Sequence, residues 1–99
     1  MSTWPYIIVF NDKLGTRDEV TGFLDTLPEV TYWYACLPSA VFCTATVSAG
    51  YLSDKIKARF GTDDGQRFFV TEVPDDRQGW LPKNVWHMLQ NPKNPRLPK

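Results

Sequence analysis

Ninety-nine residues with two cysteines, 11 basic and 11 acidic side chains and no net charge describe one small domain that must be held by apolar contacts. The balanced charge excludes a global field drawing the chain to nucleic acid or an anionic membrane, so any nucleic-acid site has to be a local patch. Two cysteines exclude a disulfide framework, and the apolar run near the N-terminus is too short to span a bilayer, so a cytoplasmic protein with no membrane partner is expected.

Residues 5–11, PYIIVFN, form a short apolar run between turn formers, the pattern of a central strand buried on both faces. Residues 16–19, TRDE, read as a capping box in which Thr16 and Glu19 each satisfy a free amide of a first helical turn. Val20, Phe23, Leu24 and Leu27 then follow at helical spacing, and Pro28 closes the segment.

Residues 30–47, VTYWYACLPSAVFCTATV, contain no charge and are rich in β-branched and aromatic types, with Pro38 and Ser39 at a turn, which predicts a β-hairpin. Unbroken antiparallel pairing puts Leu37 opposite Ala40, Cys36 opposite Val41 and Tyr34 opposite Cys43. Tyr32, Tyr34, Cys36, Val41, Cys43 and Ala45 then share one face. Thr31, Trp33, Ala35, Leu37, Phe42, Thr44 and Thr46 share the other. In that register Cys36 and Cys43 are diagonal neighbours roughly 7 Å apart, which favours free thiols over a bridge.

Ser48 is placed as an N-cap with Val47 and Leu52 as a hydrophobic staple, and Leu52, Ile56 and Phe60 line one face of a helix ending at Gly61. Residues 67–73, RFFVTEV, read as a fourth strand, and residues 80–89 as a short amphipathic helix entered through Pro82. Residues 1–90 thus form a single domain, and residues 91–99 a proline-rich basic tail, extended or disordered. The order βαββαβ predicts an α+β, ferredoxin-like sandwich: a four-stranded antiparallel sheet, order 4-1-3-2, with two helices on one face and a short C-terminal helix. The opposite sheet face stays aromatic, which calls for a partner subunit or a stacking platform for bases.

The strand YIIVFN (residues 6–11), the Trp-Tyr hairpin with Ser39 at its turn, LSDKIK (residues 52–57), the acidic turn before RFFVTEV and GWLPK (residues 79–83) together resemble small bacterial proteins labelled "SinR family". Those are similar in turn to the ferredoxin-like CRISPR-associated spacer-acquisition subunit and to VapD-type ribonucleases. The resemblance implies a homodimer with sheets packed face to face and C-terminal segments crossing to the partner, and Trp33, Phe42, Trp80 and Trp86 are the residues expected at that interface. It also implies, for the nuclease members, an acid at the end of the first strand that holds a divalent metal at the dimer axis and activates water. The matching position here is Asn11, an uncharged amide, with Asp12 one residue later. These two are the candidate catalytic residues of a Mg²⁺-dependent endoribonuclease, with Asp12 the candidate metal ligand. No cofactor is expected outside that reading.

Other constellations point less far. Asp63-Asp64 and Asp75-Asp76 lie in turns flanked by Gly or Pro, where solvated acids are expected, and His87 has neither a cysteine cluster nor a second histidine to make a zinc site. The local cations that could meet RNA or DNA are Lys13 and Arg17, the helix-two set Lys55, Lys57 and Arg59, and the tail residues Lys93, Arg96 and Lys99. The leading expectation is therefore a homodimeric, structural or regulatory protein, able to partner another protein or a nucleic-acid system, and the alternative is the metal-dependent ribonuclease.

Overall fold

Thr16 Oγ1 accepts from the Glu19 amide at 3.1 Å and Glu19 Oε1 accepts from the Thr16 amide at 2.9 Å, so the expected capping box closes at the start of the first helix. The computed structural model describes residues 2–96. Its elements are β1 (Trp4–Phe10), α1 (Arg17–Leu24), β2 (Val30–Leu37), β3 (Ala40–Ala45), α2 (Ala49–Phe60), β4 (Phe68–Glu72) and α3 (Lys83–Gln90). Ser48 caps α2 by accepting from the Tyr51 amide at 3.1 Å. Gly61 ends α2 at φ +85, a left-handed conformation that favours glycine, and returns its amide to Lys57 O at 2.9 Å.

The four strands form one antiparallel sheet in the order β2-β3-β1-β4, which is 4-1-3-2 read from the other edge. On one face Tyr6, Ile8, Phe10, Val41, Cys43 and Ala45 pack under Val20, Leu24, Leu52 and Ile56 of the first two helices. Ile8, Val41, Leu24, Leu52 and Ile56 are essentially inaccessible. Each stabilises the fold by about 1.5–3 kcal/mol relative to leaving it in water. Val47 packs against the same cluster as Leu52, as the staple requires.

The hairpin departs from the expected register. Leu37 does pair with Ala40, but Tyr34 pairs with Phe42, Trp33 with Cys43 and Tyr32 with Thr44, with register shifts between Tyr34 and Leu37 and between Val30 and Tyr32. At each shift β2 spends one residue more than β3, and an extra residue reverses which side later side chains take. Trp33 and Ala35 therefore join the helix-covered core, while Tyr32, Tyr34 and Cys36 lie on the opposite face with Phe42. Trp33 and Phe42 do not share a face. Neither do Cys36 and Cys43, and both thiols are free.

The opposite face is partly covered from within the chain. Val85, Met88 and Leu89 of α3 are buried with Phe42, and Ile7, Tyr32, Tyr34, Cys36, Leu81 and Trp86 pack around them. The tail turns back on this side as far as it is described: Asn94 donates to Asn91 O at 3.0 Å, His87 Nε2 lies 3.1 Å from Asn94 O, and the Arg96 guanidinium stands 5.0 Å from the centre of the Tyr32 ring. Residues 97–99, including Lys99, lie outside the described residues. The expectation that β1 is buried on both faces fails at Val9, which is 43% exposed and lies outside the cluster formed with α3.

Candidate functional site

Two regions bear on function: the corner where β1 ends, and the part of the sheet that α3 leaves open. At the corner, Asn11 is committed to the backbone. Its Oδ1 accepts from the amides of Arg67 at 3.0 Å and Leu14 at 3.2 Å, and its Nδ2 donates to Gly65 O at 3.0 Å. The backbone amide of Asn11 donates to Arg67 O at 3.0 Å, so the residue closes the last rung between β1 and the start of β4. Both lone-pair directions of the amide oxygen already hold a donor. Asn11 is thus built as a clamp, and its amide has no oxygen to spare for a metal or a substrate.

Asp12 and Lys13 follow in an exposed turn, and Leu14 returns to the core. No group of three or more His, Cys, Asp or Glu side chains able to hold a metal ion occurs among the described residues. Asp75 pairs with Arg77 at 3.6 Å, and His87 faces the turn of the tail.

The candidate cations do not converge. Arg17 donates from Nη1 to Leu37 O at 3.3 Å, which ties the start of α1 to the hairpin tip. Lys55 stands 5.4 Å from the Tyr51 ring centre, and Arg59 lies 5.0 Å from that of Phe60. Lys57 points the other way, into a cleft of about 500 Å³ between α2 and β4 that Ser53, Gln66, Arg67 and Phe68 also line. Residues two apart on a helix diverge by about 200°, which separates Lys57 from its two neighbours.

Of the four residues expected at an interface, Phe42 is 6% exposed beneath α3, and Trp33 packs on the helix-side core with its indole donating to Asp25 Oδ1 at 2.7 Å. Trp86 packs beside the α3 cluster. Trp80 alone stands wholly in solvent.

The open apolar surface lies elsewhere. Leu37 pairs with Ala40, Ala40 with Val9 and Val9 with Phe69, so one row crosses all four strands, with Leu37, Val9 and Phe69 exposed and Ala40 between them buried. Phe69, at the β4 edge, is 65% exposed. The row escaped sequence reading because no run marks it: its members come from four strands. The only signal was the doublet Phe68-Phe69, in which alternation must turn one ring away from the helices.

Comparison with family models, with curated proteins and with solved structures finds no match. No helix among the described residues is long and apolar enough to cross a membrane.

Proposed function

We propose that this chain is a ferredoxin-like protein acting as a homodimer, in a structural or regulatory role rather than as a catalyst. The strand order, with α1 and α2 on one face, supports the split βαβ reading. The observation that carries the dimer is Phe69, 65% exposed on the edge strand β4, with the exposed Val9 paired beside it. A large aromatic side chain left in solvent on a regular strand edge favours a contact with another protein. The zero net charge removes the long-range repulsion that would oppose pairing of like chains. The resemblance to SinR-type, CRISPR-associated and VapD-type proteins gives this dimer a nucleic-acid system as its setting.

Sedimentation equilibrium tests the reading directly. A dimer is expected at micromolar concentration, and a chain that stays monomeric to millimolar concentration overturns it. Labelled RNA incubated with Mg²⁺ is expected to remain intact. Cleavage that requires metal and disappears in Asp12→Ala would overturn the non-catalytic role.

A further inference from the structure

The two edges of the sheet are built differently. β2, at one edge, carries two register shifts, devices that twist an edge away from new partners. β4, at the other, pairs with β1 in unbroken register from Phe68 to Glu72 and contains neither proline nor lysine. An edge left regular is a template for another strand.

The direction of its free groups follows from two hydrogen bonds. Val73 donates to Pro5 O at 3.0 Å, and Arg67 O accepts from Asn11 at 3.0 Å, so the odd-numbered residues of β4 face β1. Backbone direction alternates along a strand, which leaves the amides and carbonyls of Phe68, Val70 and Glu72 facing outward.

We infer that two copies of this chain join through these outward groups, β4 against β4 in antiparallel register with Val70 on the two-fold axis, to make one continuous eight-stranded sheet. This rests on the dimer reading above and specifies its geometry. Pairing Phe68 with Glu72 of the second copy, and Val70 with itself, uses every outward residue of the strand and forms about six hydrogen bonds. Any other register that keeps the side-chain faces matched uses fewer.

Charge and packing agree with that register. Side chains of Phe68, Val70 and Glu72 lie on the helix-covered side, beside the cleft lined by Lys57 and Arg67. The two-fold brings Glu72 of each copy next to Phe68 of the other, at the mouth of that cleft. Neither Lys57 nor Glu72 has an ion-pair partner among the described residues. On the other face, Phe69 sits opposite Thr71 of the second copy and diagonal to its Phe69, a separation that aromatic rings bridge. The most exposed member of the apolar row is thereby covered, and the two rows are brought onto one face of one sheet.

The chain's own tail is a poor alternative occupant of the edge. Its prolines at 92, 95 and 98 remove ladder donors, and its cations oppose Lys57 and Arg67. A face-to-face dimer uses the row and leaves the edge free, and a strand from another protein uses the edge without any dimer.

Amide exchange at rising protein concentration, read beside sedimentation, separates these arrangements. Edge pairing predicts that the amides of Phe68, Val70 and Glu72 become protected as dimer forms, while those of Phe69, Thr71 and Val73 are protected throughout. Glu72→Pro removes an outward donor and an exposed side chain without touching the β1 ladder, and is expected to raise the dimer dissociation constant about tenfold to a hundredfold. Leu37→Lys is expected to leave that constant within about threefold, since Leu37 lies at the far edge. A dimer in which Phe68, Val70 and Glu72 exchange freely, or which Leu37→Lys dissociates and Glu72→Pro does not, overturns edge pairing and leaves the dimer reading standing. A wild-type chain monomeric at millimolar concentration overturns both and leaves the edge to another protein's strand.

Discussion

The side chain of Asn11 donates to the carbonyl oxygen of Gly65 at 3.0 Å, across 54 residues of sequence. Its own oxygen takes the Arg67 amide at 3.0 Å, so the side chain acts as both donor and acceptor in joining the end of β1 to the turn before β4. An aspartate at this position keeps the acceptor and loses the donor, and turns a charged oxygen toward a carbonyl. Asn11→Asp is therefore expected to lower stability by about 1–3 kcal/mol. Asp12→Ala, in the exposed turn, is expected within about 0.5 kcal/mol of wild type. Urea unfolding at neutral pH checks both. An Asn11→Asp protein as stable as wild type would show that this clamp holds nothing.

Two carboxylates make stability depend on acid. Hydrogen bonds from the Thr16 amide and then the Thr16 hydroxyl hold Glu19 below the usual carboxylate range, and a hydrogen bond from the Tyr51 hydroxyl does the same for Glu29. A folded-state value below the unfolded one means that the unfolded chain binds more protons, so stability rises with pH across that window. The contribution is present above the unfolded value and is lost as pH falls through the folded one. Glu19→Gln retains an acceptor for the Thr16 amide and cannot titrate. Its urea midpoint is expected to fall less steeply than that of wild type below about pH 4.3. An identical slope in the two proteins would remove Glu19 from the acid limb. Thr16→Ala, which removes the hydroxyl partner, is expected to cost about 1 kcal/mol at neutral pH.

What the sequence made legible is what depends on near neighbours. The capping box needs Thr16 and Glu19 three residues apart, the staple needs Val47 and Leu52 five apart, and the strand order follows from the alternation of elements. The hairpin faces were not legible. The two register shifts in β2 put Trp33 and Ala35, rather than the tyrosines, against the core under α1 and α2, and no local run of residues marks where such a bulge falls. In sequence Asn11 has the look of a strand end or a substituted ligand, because the groups it binds lie 54 and 56 residues away. The helix at residues 83–90 was legible from its apolar spacing, but its docking face was not, since the face depends on where the bulges leave Tyr32, Tyr34 and Phe42.

The bulge also separates the two thiols chemically. Cys43 lies fully buried in the helix-side core, and burial pushes its thiol up to about 12, so almost no thiolate forms at neutral pH. Cys36 is half-buried on the other face, beside Tyr34 and α3. A thiol reagent at neutral pH is expected to modify one cysteine per native chain, identified as Cys36 by peptide mass, and the second only after unfolding in guanidinium. Cys36→Ser should then leave a native protein that does not react. Rapid labelling of Cys43 in the native state would contradict the placement of β3 under the helices.

Met88 decides whether α3 belongs to the sheet of its own chain. Its side chain is fully buried with Phe42, Val85 and Leu89, at the centre of the cluster through which α3 meets the sheet. Met88→Ala removes most of that contact and opens a cavity between α3 and β3, so a loss of about 2–5 kcal/mol is expected. Trp80, wholly exposed just before the helix, provides the contrast, and Trp80→Ala is expected within about 0.5 kcal/mol of wild type. If α3 docks on its own sheet, the Met88→Ala loss is the same at low and high protein concentration. A loss that grows with concentration would mean that α3 rests on a second chain instead, because only an intermolecular contact gains weight by mass action.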